Sequence, residues 1–139
     1  MNSSFIRWAR FAPALLLAIF INGTPAPAQH GGKAEPLRIE FKRGSTSATL
    51  NDSVRGNEEA EYVLAARKGQ HLIVKLTSVP RRSSVFQIVG PDNDTLGLEN
   101  DANWTYDGRL PTTGDYFIIV SRPTTSRGTS KYTLSVTIK

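Results

Sequence analysis

Cysteine chemistry is excluded from this chain, and histidine offers little more. None of the 139 residues is cysteine, and the two histidines are His30 and His71. A nucleophilic serine needs a histidine base that a carboxylate orients, and no Gly-x-Ser-x-Gly turn marks such a serine. A zinc site needs about three convergent His, Cys or carboxylate ligands, and the sequence has no such spacing. We therefore predict no enzyme, no catalytic residue, no metal and no cofactor; a hydrolase that uses His71 stays open as a remote alternative.

Acidic residues concentrate in two short stretches. Glu58, Glu59 and Glu61 lie close together, and such a charged segment is most often a solvated loop. The Asp92-x-Asp94 spacing is that of a calcium loop, but the twelfth position of the loop is Asn103 rather than the bidentate glutamate that calcium requires. We interpret both stretches as loops without a metal.

Arginines in two polar loops are the candidate binding residues. Arg81 and Arg82 are adjacent in segment 79–84, and Arg122 and Arg127 flank a segment of Pro, Thr and Ser. A guanidinium matches a carboxylate with two parallel N–H donors, and the clefts of glycan hydrolases contain carboxylates. These four arginines are predicted to bind a partner, with solvated loops as the alternative.

An aromatic pair, Trp104 and Tyr106, leaves a second binding mode open. If the two rings were exposed beside a groove, they would favour glycan binding. If they were buried, they would belong to the core, as large aromatic residues usually do.

Strands must position these residues, because helical periodicity is absent after the first 28 residues. The central stretch, Tyr62 to Leu76, contains two apolar runs joined by Arg67-Lys68-Gly69-Gln70, and Leu72, Val74 and Leu76 alternate with polar side chains. We predict a β-hairpin there, with Gly69 supplying a positive φ. Further strands are predicted at 37–41, 47–54 (an edge strand), 85–89, 104–110, 116–120 (a central strand) and 132–138. Short strands with Gly/Pro turns predict an all-β protein, an antiparallel β-sandwich of about eight strands.

The first 28 residues predict export. Arg7 and Arg10 precede a short apolar run, and Ala26-Pro27-Ala28 is an Ala-x-Ala cleavage signal, so 1–28 read as a signal peptide. Residues 29–36 are predicted to be a flexible leader and 37–139 the β-sandwich domain. The lack of cysteine favours a bacterial periplasm, and an uncleaved membrane anchor is the alternative.

Charge excludes one class of partner. Cleavage after Ala28 removes two arginines and no acidic residue, which lowers the formal charge from +5 to +3. The basic residues are scattered, which argues against nucleic-acid binding. We predict a monomer that does not remain inserted in the membrane.

Several segments of the chain resemble the family of periplasmic inhibitors of g-type lysozyme. The most discriminating one is the Phe-Lys-Arg-Gly-Ser-x-Ser-Ala run at 41–48. The others are 39–45, 54–56, 62–70, 110–116 and 131–138. The second half also resembles the prepeptidase C-terminal sandwich modules, which share the Leu-Pro-x-x-Gly-Asp-Tyr turn and the Tyr-x-Leu last strand.

The resemblance implies a secreted bacterial protein that blocks the active-site cleft of a g-type lysozyme with loops. Family members carry arginines before the last strand, and Arg122 and Arg127 occupy that region here. The predicted function is therefore lysozyme inhibition by Arg-bearing loops. The alternative is a non-catalytic sandwich module that binds glycan or another cell-envelope protein.

Overall fold

Two facing β-sheets form a sandwich in the computed structural model, which describes residues 35–97, 104–123 and 127–139. Over these residues the strands are β1 (Leu37–Arg38), β2 (Ser47–Arg55), β3 (Ala60–Ala66), β4 (His71–Val79), β5 (Val85–Val89), β6 (Thr95–Leu96), β7 (Thr105–Arg109), β8 (Gly114–Ser121) and β9 (Thr129–Ile138). The first sheet has the order β1-β3-β8-β5-β6 and the second β2-β9-β4-β7. The predicted all-β sandwich is confirmed.

The core lies between the inward faces of the two sheets. Leu72, Val74 and Leu76 of β4 are buried, as their alternation predicted. They face the buried side chains of β8 in the other sheet, among them Ile118 and Val120. Burying an aliphatic side chain of this size contributes about 1.5–3 kcal/mol, so the two inward faces hold the sheets together.

The Arg67–Gln70 turn connects the two sheets and not a pair of adjacent strands. β3 pairs with β1 and β8, whereas β4 pairs with β7 and β9, so the predicted central hairpin is wrong. Gly69 does have the predicted positive φ, 87°. Its N–H donates to Leu110 O, and Leu110 N–H donates to Gln70 O, both at 2.8 Å. Alternation reports which face of a strand is buried but not which strand lies beside it.

The remaining strands follow the sequence prediction, except that the two-residue strand β6 was not predicted and that β8 and β1 differ in detail. β2 is an edge strand and β8 a central one, as predicted, although Phe117 and Ile119 on the outer face of β8 are only half-buried. The first strand is shorter than predicted and runs parallel to β3. Its pairing ends after Ile39, whose N–H donates to Val63 O at 2.8 Å.

The predicted signal peptide and residues 29–34 of the predicted leader lie outside the described residues. Within the part of the chain that the structure describes, no helix is long and apolar enough to cross a membrane.

Candidate functional site

Three connections meet at one end of the sandwich: the β2–β3 turn (56–59), the β4–β5 connection (80–84) and the β8–β9 loop (122–128). The strand register brings them together, because the last residue of β2 pairs with the first of β9, and the first residue of β5 pairs with the last of β8. We call this region the arginine end, because all four predicted binding residues lie in it: Arg81, Arg82, Arg122 and Arg127.

A cluster of serines fixes the β4–β5 connection. Ser84 and Ser130 are fully buried, with their hydroxyl oxygens 2.5 Å apart. Ser83 also contacts the Ser130 hydroxyl, and its backbone N–H donates to Ser78 Oγ at 3.0 Å and to Pro80 O at 3.1 Å. Buried hydroxyls that satisfy one another order the backbone that carries them. The connection is therefore tied to β9, and Arg81 and Arg82 project from a fixed backbone.

The side chain of Arg82 is oriented by an aromatic ring. Arg82 has a φ of 59°, in the left-handed region that residues other than glycine seldom adopt. Its guanidinium carbon lies 4.7 Å from the centre of the Trp104 ring, within the range of a cation–π contact. The indole is fixed in turn, because its Nε1–H donates to Ser84 O at 2.9 Å. An exposed guanidinium held in this way loses less conformational entropy when it binds a ligand.

Arg122 has a different environment from the other three arginines. It is 9% exposed, and its Nη1 donates to Gly128 O at 2.5 Å. The N–H of Gly56 reaches the same oxygen at 3.5 Å. Arg122 thus connects the two ends of the β8–β9 loop, and the Gly56 N–H links the loop to the β2–β3 turn. Arg127, like Arg81 and Arg82, is exposed, so these three present more surface to a partner than Arg122 does.

The sequence analysis missed a buried polar group between the sheets. The hydroxyls of Tyr62 and Tyr132 lie 2.7 Å apart, and the Tyr62 hydroxyl donates to Asp52 Oδ2 at 3.4 Å. Burial raises the pKa of both phenols above the ordinary value of 10.0. The hydrogen bond between them lowers the pKa of Tyr62 and raises that of Tyr132, but burial is the larger effect for both. Both tyrosines occupy inward positions of predicted strands, and only the strand order shows that their hydroxyls meet.

The two aromatic residues lie at the margin of the core. Trp104 and Tyr106 are both half-buried against the core. Burial raises the pKa of Tyr106, and so do the charges of Tyr116 and Asp107. Trp104 also lines a cavity of about 420 Å³ at the arginine end. The condition that would favour glycan binding, two exposed rings beside a groove, is not met, because both rings pack against the core.

The histidine and the acidic segments are part of local structure. His71 begins β4, at the opposite end of the sandwich from the arginine end, and its Nε2 contacts Oδ1 of Asp107. Glu58 Oε2 accepts a hydrogen bond from Arg55 N at 3.0 Å and closes the β2–β3 turn. Over residues 35–97, 104–123 and 127–139, no group of three or more His, Asp or Glu side chains could hold a metal ion.

Solved structures include clear relatives of this chain, although no family model and no curated protein matches its sequence. PliG of Aeromonas hydrophila, a periplasmic lysozyme inhibitor of g-type lysozyme, has a TM-score of 0.68 and 28% identity over 78% of this chain and 99% of that one. PliG of Salmonella Typhimurium has a TM-score of 0.63 and 25% identity over 77% of this chain and all of that one. The chain resembles the PliG inhibitors. The family resemblance predicted from the sequence is thereby confirmed.

A second kind of relative shares the sandwich only. The pre-peptidase C-terminal domain of a Bacillus anthracis collagenase has a TM-score of 0.55 and 13% identity, over 76% of this chain and 95% of that one. This likeness confirms the architecture that the Leu-Pro-x-x-Gly-Asp-Tyr turn indicated. The PliG proteins are inhibitors and not enzymes, which supports the prediction that the chain is not an enzyme.

Proposed function

We propose that this protein is a periplasmic inhibitor of g-type lysozyme that binds the enzyme through the arginine end. The observation that carries the proposal is the match to PliG, which spans 99% of the Aeromonas inhibitor at 28% identity. Fold alone would not carry it, because a sandwich supports many functions and the collagenase domain has the same fold at 13% identity. The periplasmic location is proposed from the PliG proteins and from the signal peptide expected at 1–28.

The proposed mechanism is steric blocking of the active-site cleft. Arg81, Arg82 and Arg127 are exposed on connections that meet at one end, and lysozyme-type clefts contain a pair of catalytic carboxylates. Guanidinium–carboxylate pairs can form two parallel hydrogen bonds, so these arginines would anchor the loops inside the cleft. Arg122 would contribute indirectly by holding the β8–β9 loop in shape through Gly128.

The primary test is turnover of a peptidoglycan suspension by g-, c- and i-type lysozymes in the presence of the purified protein. We expect inhibition of the g-type enzyme and not of the other two. A folded sample that inhibits none of the three enzymes would refute the proposed function.

Two single variants distinguish an arginine that contacts the lysozyme from one that stabilises the inhibitor itself. Arg127→Ala should weaken inhibition about tenfold, the effect of losing one good interfacial arginine, with an unchanged melting temperature. Arg122→Ala should lower the free energy of unfolding by about 1–3 kcal/mol, because the Gly128 carbonyl loses its charged donor. Arg67→Ala, at the opposite end, serves as the control. If Arg127→Ala and Arg81→Ala together left inhibition unchanged, the arginine end would not be the contact surface.

A further inference from the structure

Two cavities lie side by side on the second sheet near the arginine end. The first, of about 400 Å³, lies over β2, β9 and β4, and the second, of about 420 Å³, lies between the β4–β5 connection and the start of β7. Thr77 and Ser78 line both, so the two cavities adjoin. We call the two together the outer groove. It crosses four strands, which at about 4.8 Å per strand gives a length of about 14 Å.

The outer groove carries positive charge. Lys131 lines the first cavity, and Arg81 and Arg82 line the second. Among the described lining residues the acidic one is Asp52, and its two oxygens already accept hydrogen bonds, from the N–H of Ser53 at 2.7 Å and from the buried Tyr62 hydroxyl. The field in the groove therefore favours an anionic ligand.

The rest of the lining indicates what kind of anion would fit. Outward-facing Asn51, Thr77 and Thr133 lie on three adjacent strands and pair in one row across the sheet. Thr133 Oγ1 donates to Asn51 Oδ1 at 2.7 Å, so these two groups form one hydrogen-bonded pair, and Thr77 lies on the next strand, about 4.8 Å away across the sheet. Trp104 adds an aromatic edge at the arginine end of the groove. A ligand that offers a row of hydroxyls and also a carboxylate matches this arrangement, whereas a small inorganic anion would occupy only the arginines.

We propose that the outer groove binds a short oligosaccharide that bears carboxylates. The guanidinium of Arg82, held over the Trp104 ring, would donate two parallel hydrogen bonds to a carboxylate, with Arg81 adding a second donor group. The Thr77 hydroxyl and the hydrogen-bonded pair of Thr133 and Asn51 would contact the sugar. This binding is an activity separate from lysozyme inhibition, and it requires no enzyme.

The test uses two tetrasaccharides that differ in charge. One alternates N-acetylglucosamine with N-acetylmuramic acid, which carries a lactyl carboxylate; the other is chitotetraose, which has none. Titration calorimetry on the purified protein should show about tenfold tighter binding of the charged tetrasaccharide, the difference expected from charge-assisted hydrogen bonds to one carboxylate. NMR amide shifts should move at Thr77, Trp104 and Lys131 and stay fixed at Gly69. Equal affinity for the two sugars, or no binding of either, would overturn the proposal.

Three variants locate the sugar-binding site and distinguish sugar binding from lysozyme inhibition. Arg82→Ala should weaken binding of the charged tetrasaccharide about tenfold, and Arg67→Ala, an exposed arginine at the far end, should not change it. Arg127→Ala should reduce lysozyme inhibition but leave sugar binding intact, because Arg127 does not line the groove. If Arg82→Ala bound the sugar as tightly as Arg67→Ala, the groove would not be the site, whatever the outcome with lysozyme.

Discussion

At the residue scale, the paired hydroxyls of Tyr62 and Tyr132 give the most specific prediction about stability. Removing one hydroxyl leaves its partner buried without that hydrogen bond, so Tyr62→Phe and Tyr132→Phe should each lower the free energy of unfolding by about 1–2 kcal/mol. The double variant should cost about 1 kcal/mol less than the sum, because neither hydroxyl then remains. Urea unfolding of the four proteins measures this coupling, with Tyr106→Phe as the control. Strictly additive losses would show that the two hydroxyls do not interact.

The same tyrosines predict how stability depends on pH. Burial raises the pKa of Tyr62 and Tyr132 in the folded protein, whereas the unfolded chain releases these protons near pH 10. The unfolded state therefore binds fewer protons above that pH, and the free energy of unfolding should fall as pH rises past about 10. Melting temperatures measured from pH 8 to 12 check this, and the slope should be smaller in the double Phe variant. An equal slope in that variant would assign the alkaline loss to other groups.

The four arginines show which properties of a single residue could be predicted from the sequence. Their positions in turn-rich segments identified Arg81, Arg82, Arg122 and Arg127 as loop residues, and the structure gathers all four at one end. The burial of Arg122 against Gly128 could not be predicted, because it depends on where Gly128 lies relative to Arg122 and not on any local pattern.

At the element scale, the first residue of β8 must be glycine. Gly114 has a φ of 155°, and a Cβ there would lie 2.6 Å from Cγ of Pro91. Backbone strain and the clash together should make Gly114→Ala cost about 3 kcal/mol. Gly69→Ala is the matched control: it also has a positive φ, but open space around it, and should cost about 1 kcal/mol. Urea unfolding compares the two, and equal losses would show that the contact with Pro91 contributes nothing.

Turns and strands differ in how much of them the sequence could predict. The turn at 111–115 was predicted because Pro, Gly and Asp impose local backbone geometry, and in the structure its last two residues begin β8. The pairing partner of each strand was not, since β3 and β4 carry the same signals whether they form a hairpin or cross between sheets. Both strands bury an inward face against one core. The alternation of their side chains predicts that buried face but not which strand lies beside it.

At the scale of the whole molecule, the sheet order predicts where the fold opens first. β8 and β9 have a hydrogen-bonded strand on each side, whereas β1 and β6 are two-residue edge strands. Amide hydrogen exchange should therefore be slowest at Ile118 and Leu134 and much faster at Arg38 and Leu96, because edges open without global unfolding. Mass spectrometry or NMR measures these rates. Comparable protection of the edges and the centre would mean that the sandwich opens only as one unit.

The lysozyme proposal and the outer groove also belong to this scale. The connections at the arginine end come from distant parts of the chain, and the groove draws its lining from four strands. Both surfaces therefore depend on the pairing of whole strands. The turnover assay with three lysozymes tests the arginine end, and the titration with two tetrasaccharides tests the outer groove, so the two proposals are tested independently.

The sequence by itself determined the all-β class, the positions of the described strands other than β6, the buried face of each main strand and most of the turns. These features depend on the two-residue period of a strand and on the φ preferences of Gly and Pro, both of which act within a few residues. Only the tertiary structure decided the sheet order, the Tyr62–Tyr132 pair, the Arg82–Trp104 contact and the burial of Arg122. Each of these depends on contacts between residues far apart in the chain, and such contacts form only when the two sheets close over one core.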